Sequence, residues 1–100
     1  MTSVWTHGEW TVKPGHEDEF VEIWRELARR GVAAFRTVEP PTLLRDHERP
    51  NVFLSFGPWP SLDEVTRFRG SDVFGDARER MGSILESFET RTLDEVSRGG

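Results

Sequence analysis

The chain contains no cysteine and no tyrosine. Without cysteine the sequence offers no disulfide, no thiolate metal ligand and no thiol nucleophile, which fits a cytoplasmic setting. Without tyrosine, no phenol of the protein can act as acid, base or hydrogen-bond donor. Long apolar runs are missing as well. No stretch approaches the roughly 20 residues that span a bilayer, and Met1-Thr2-Ser3-Val4-Trp5 has no basic segment leading into an apolar one. A soluble, cytoplasmic protein with no membrane partner is expected. Basic charge is in deficit: 18 acidic against 13 basic residues leave a net charge of -5. Nucleic-acid binders carry the opposite balance on their binding face, so no nucleic-acid partner is expected. The three histidines form no His-x-His or His-x-x-x-His pair. There is no glycine-rich phosphate loop and no Gly-x-Ser-x-Gly elbow, and no metal or cofactor is expected.

Aromatics, in contrast, are plentiful, with four Trp and seven Phe among 100 residues. Each can bury a large apolar area in a modest core. Residues 3–12 read as a strand with large apolar groups on both faces, Trp5 on one and Trp10 on the other. Lys13-Pro14-Gly15 ends it. Glu17-Asp18-Glu19 open a helix, where carboxylates suit the positive end of the dipole, and His16 stands at its entrance as a capping candidate. Phe20, Ile23, Trp24 and Leu27 form its inner face, and Arg29-Arg30-Gly31 reads as its end. Residues 32–38 read as irregular.

Residues 42–47 and 52–59 read as a hairpin joined by the turn 48–51. Pro58 and Pro60 flank Trp59 and stop the pairing. Ser61-Leu62-Asp63-Glu64 is a capping box, followed by a short helix with Leu62, Val65 and Phe68 inward. Gly70-Ser71 breaks it, and a further helix from about Asp72 carries Val73, Ala77, Met81, Ile84 and Leu85. Residues 88–96 have strand character and 97–100 read as a frayed tail. The pattern is one α+β domain over residues 1–100, of ferredoxin-like βαββαβ order, with an antiparallel sheet and helices on one face. Trp5 and Trp10 lie on opposite faces of the first strand and Phe53 and Phe56 on opposite faces of the third, so burying one set would expose the other, and a two-fold homodimer joining two such faces is the favoured way to cover it. Cover by loops or the last strand within one chain is the alternative.

Several of these segments together resemble the antibiotic-biosynthesis monooxygenase domain family. They are Leu44-Arg45-Asp46, Pro50-Asn51-Val52-Phe53, Trp59-Pro60-Ser61-Leu62-Asp63-Glu64, Phe68 and Ser71-Asp72-Val73-Phe74, with Val12-Lys13-Pro14-Gly15, Phe20 and Trp24 upstream. The resemblance implies a dimeric α+β barrel with a pocket between sheet and helices. Some members oxygenate aromatic polyketides without metal or flavin, and others degrade haem. In the haem-degrading branch a histidine ligates iron where this chain has Arg78, and an asparagine falls near Gly8. A guanidinium stays protonated and cannot ligate iron, so the resemblance does not extend to haem. In the polyketide-oxidising branch an asparagine stands four residues before the strand-ending tryptophan, where this chain has Ser55 before Trp59.

The activity so implied is cofactor-independent monooxygenation of an aromatic, polyketide- or quinol-like small molecule. The alternatives are a non-catalytic dimeric module that binds a ligand or serves a structural role and, ranked last, an RNA-recognition domain, which needs a basic central strand that residues 51–57 lack. For oxygenation, His7, Trp59 and Ser55 are the catalytic candidates. His7 lies in alternation with Glu9 and so can be a base of tuned pKa, or else an interface histidine bonded to a carbonyl. Phe56, Phe68, Phe74, Arg78 and Met81 are the substrate-binding candidates, the apolar ones more readily taken singly as plain core. Arg45, Arg69 and Arg78 can each hold an enolate or carboxylate, and His47 reads as solvated.

Overall fold

A computed structural model describes residues 3–35 and 39–99 of the chain. Its elements run β1 (Val4–Val12), α1 (Glu17–Ala34), β2 (Thr42–Arg45), β3 (Val52–Trp59), α2 (Leu62–Arg69), α3 (Asp72–Met81) and β4 (Leu85–Asp94). The strands form one antiparallel sheet in the order β2-β3-β1-β4. This is the ferredoxin-like α+β arrangement, with β1 and β3 at its centre.

Register decides which residues share a face. Trp10 pairs with Phe53 and Phe88, Gly8 with Ser55 and Thr90, and Val4 with Trp59. Directly paired residues point the same way, so these groups share the face packed by the helices. The core beneath them joins Trp10, Val12, Phe20, Ile23, Phe53 and Met81, with Phe20 5.0 Å from Phe53 and Trp10 stacked on Phe88 at 5.4 Å. The opposite face carries Trp5, His7, Leu54 and Phe56, all half-buried in the single chain, with Leu44 and Leu93 exposed beside them.

Three sequence expectations are corrected. First, α1 does not end at Gly31 but continues a further turn to Ala34. Gly31 is a packing glycine, for a Cβ there would stand 3.3 Å from Phe68 Cε1. The segment read as irregular is therefore helical through Ala34, and residues 36–38 lie outside the described residues. Second, His16 makes no side-chain cap to the backbone of α1 and bonds Glu19 Oε1 instead, at 3.1 Å. Third, α3 stops at Met81, and Ile84 and Leu85 belong to the turn and the start of β4. The Ile84 carbonyl accepts from the Lys13 amide at 2.8 Å and the Ser83 carbonyl from Lys13 Nζ at 2.9 Å, which draws the chain onto β1 three residues before Phe88. Ser61 caps α2 as expected, accepting from the Glu64 amide.

Candidate functional site

A cleft opens on the helix-covered face of the sheet. Its floor is Thr6, Gly8, Trp10, Ser55 and Gly57, and α1 walls it with Trp24, Leu27 and Gly31. Phe68, Arg69 and Phe74 come from α2 and α3, and Pro41 and Glu39 border the mouth. The cavity within it is about 70 Å³ and opens to solvent at the mouth.

Trp59 is placed here by three local features. It ends β3 between Pro58 and Pro60, which restrict its backbone. Its Nε1 donates to Thr6 Oγ1 at 3.1 Å. Its ring lies 5.0 Å from Phe68, which meets Phe74 at 5.3 Å. Phe35 completes the group, edge-on to Phe68 at 5.5 Å and to Trp59 at 6.3 Å. Tilted and edge contacts of this kind add about 0.5–1.5 kcal/mol per pair beyond burial.

The floor is set by the pairing of Gly8 with Ser55. Trp10 Nε1 donates to Ser55 Oγ at 3.0 Å, and the indole lies across Gly8. A Cβ at Gly8 would fall 2.6 Å from Trp10 Nε1 and 2.7 Å from Ser55 Oγ. Gly8→Ala is therefore expected to destabilise the fold by about 1–3 kcal/mol, as overpacked interiors do, because the buried Trp10 ring must move. Chemical denaturation checks this, and an unchanged midpoint would mean that the ring is free to yield.

Of the candidates from sequence, the structure brings Trp59, Ser55, Phe68 and Phe74 together. It separates the rest. His7 and Phe56 pair with each other, rings 4.8 Å apart, and strand alternation turns both side chains to the face away from Trp59. Only their backbone can border the cleft. Met81 is fully buried core, and Arg78 stacks its guanidinium over Phe88 at 4.8 Å. Both line a second hollow, beside Leu85 and Ser87.

Sequence reasoning missed Thr6 and Glu39 as cleft residues and Phe35 as the ring packed on Trp59 and Phe68, and read Trp24 only as helix core. Phe35 and Glu39 flank a segment with no periodicity to mark them. The position of Thr6 follows only from its register with Gly57. Arg69 is the one candidate anion-holding arginine that borders the cleft. Its terminal nitrogens donate to Thr92 Oγ1 at 2.6 Å and to the Arg91 carbonyl at 2.9 Å. Burial lowers its pKa from the ordinary value. Among the described residues no three His, Asp or Glu side chains gather as a metal-binding group, and no helix is long and apolar enough to cross a membrane.

No curated protein matches the sequence. Among solved structures, PA3566 from Pseudomonas aeruginosa superposes with a TM-score of 0.83 at 16% identity, covering 97% of both chains. Rv0793 from Mycobacterium tuberculosis gives 0.83 at 13% identity over 98% of this chain and 99% of that one. A variant of SnoaB, a cofactor-independent oxygenase from Streptomyces nogalater, gives 0.84 at 19% identity over 96% and 95%. At these identities the likeness is one of fold. The sequence itself matches a family over residues 3–80, a span that takes in all the elements before β4 and nearly every cleft residue. The chain belongs to the antibiotic biosynthesis monooxygenase family.

Proposed function

We propose that the protein is a cofactor-independent monooxygenase acting on a flat aromatic small molecule of the anthrone or hydroquinone type. The observation that carries this reading is the cleft in which Trp59, Phe68 and Phe74 form one continuous aromatic wall, with Phe35 packed on the first two, over a floor bearing the Ser55 and Thr6 hydroxyls. Such a surface takes a planar ring by stacking and offers few groups that would hold water against it. SnoaB, of the same fold, is a cofactor-independent oxygenase.

In this chemistry the substrate supplies the electrons. A ring CH₂ activated by a neighbouring carbonyl loses a proton, and the carbanion passes an electron to dioxygen. The two radicals then join as a peroxide anion, which takes up a proton to give the hydroperoxide, and this loses water to leave a carbonyl. The carbon loses two hydrogens and gains one oxygen atom, the second oxygen atom leaves as water, and all four electrons come from that carbon. The protein's part is to orient the ring, exclude water from the carbanion and stabilise the anion. The proton taken from carbon leaves by the mouth, where Glu39 and solvent stand, and one returns by the same way to the peroxide.

One observation favours a second reading, a ligand-binding module of the same fold without turnover: the His7 imidazole stands on the sheet face opposite Trp59. Oxygen uptake by metal-stripped protein, with a panel of anthrones and hydroquinones, separates the two. The oxygenase consumes one O₂ per substrate and releases one water, turning an anthrone into the quinone and a hydroquinone into the hydroxyquinone. A module binds the same compounds and consumes none above the uncatalysed rate.

We infer also that the protein is a homodimer, formed through the face that carries Trp5, Leu54 and Phe56. Aromatic and aliphatic groups gathered on one face of a small sheet are what a two-fold contact buries.

A further inference from the structure

We propose that the cleft takes its aromatic ligand as an anion, and that Arg69 is the residue that selects the charge. This rests on the reading of the cleft as an aromatic site and narrows it to rings bearing an ionised oxygen, a carboxylate or an enolate.

Arg69 differs from the other arginines around it. Arg30 lies against Asp76 and Arg67 against Glu64, while Arg45 and Arg78 stack over Phe53 and Phe88. Arg69 is half-buried, borders the aromatic wall beside Phe68, and has no carboxylate within ion-pair distance among the described residues. Its two bonds go to neutral acceptors on β4, the Thr92 hydroxyl and the Arg91 carbonyl. They pin the guanidinium across from α2 to the sheet, and each uses one of its five N–H groups. The Nε–H and one hydrogen on each terminal nitrogen remain. A guanidinium remains charged at neutral pH even where burial lowers its pKa, and its place in the last turn of α2 favours the cation further. The cleft's one carboxylate, Glu39, acts on Arg98, whose pKa is raised first by its bond to Glu95 and more weakly by the field of Glu39. The result is a fixed cation with free donors at the rim of an apolar cleft. A hydrogen bond from such a group to an anionic oxygen is about twice as strong as to a neutral one.

The test pairs two probes of one shape, 2-naphthoate and neutral 2-naphthamide, titrated calorimetrically at pH 7 into the whole chain and into Arg69→Gln and Arg69→Lys. Glutamine keeps a donor for Thr92 and Arg91 but removes the charge. The wild type is expected to bind naphthoate at least about tenfold tighter than naphthamide, a difference of about 1.4 kcal/mol. Arg69→Gln is expected to lose that preference while holding naphthamide within about twofold, and Arg69→Lys to keep part of the preference. If Arg69→Gln fails to fold, Arg69→Lys decides through salt: the preference must fall as ionic strength rises. A preference that survives in Arg69→Gln, or wild-type binding of both probes without preference, overturns the role of Arg69 and leaves the aromatic site standing. Binding of neither probe overturns both.

Discussion

Replacing Trp59 by alanine is expected to cost about 3–5 kcal/mol of stability, the range for removing a buried aromatic, and to weaken binding of any planar aromatic in the cleft by at least about tenfold. The residue is 5% exposed. Its removal takes away the ring that meets both Phe35 and Phe68, and leaves Thr6 Oγ1 without its indole donor. The structure cannot easily collapse into the space, since Pro58 and Pro60 hold the backbone on either side. The loss of binding follows from the loss of one side of the stacking surface, and so should be shared by neutral and anionic ligands. That distinguishes it from Arg69, whose replacement changes the preference between them. Thermal denaturation and probe titration on the same variant check both effects. A Trp59→Ala protein that melts within a degree or two of wild type and binds unchanged would show that the ring is neither wall nor support.

Much of this architecture is legible in the residues. Proline and glycine punctuate the strands, and the alternation of Trp5, His7 and Glu9 against Thr6, Gly8 and Trp10 already divides β1 into two faces. What alternation within one strand does not reveal is which face of β3 matches which face of β1. Register supplies that: Val4 opposite Trp59 puts the even positions of β1 with the odd positions of β3. A shift of one residue would have turned His7 to the same face as Trp59, and so the candidate base and the candidate wall could be named from sequence but not joined or parted. Gly31 illustrates a second limit. A glycine after two arginines is the signature of a helix end, yet a glycine required by an approaching phenyl ring is the same letter. Only the contact with Phe68 tells them apart. The three arginines that could hold an anion were likewise equivalent in sequence. Two of them turn out to cover aromatic rings, and one is left at the cleft.

The sheet face turned away from the cleft leads to the second large effect. Phe56→Glu is expected to convert the proposed homodimer into a folded monomer at micromolar concentration. In the single chain Phe56 is half-buried, and its chief aromatic contact is the His7 imidazole directly opposite. A glutamate there keeps water on one side and a histidine on the other, so the monomer should fold with a loss of only about 1 kcal/mol, the scale of one cross-strand pair. In a two-fold contact the same carboxylate is taken from water into an apolar patch formed with Trp5 and Leu54, and symmetry makes this happen twice. At about 2–3 kcal/mol for each poorly partnered charge, the dimer loses about 4–6 kcal/mol, or about three to four decades in dissociation constant. Light scattering coupled to size exclusion reads the mass directly, and circular dichroism shows whether the variant remains folded. The cleft lies on the other side of the sheet, so affinity for a naphthalene probe should change little if each subunit's site is complete in itself. A Phe56→Glu protein that stays dimeric would move the interface to another surface. A wild type that is already monomeric would leave the apolar face to be covered within one chain.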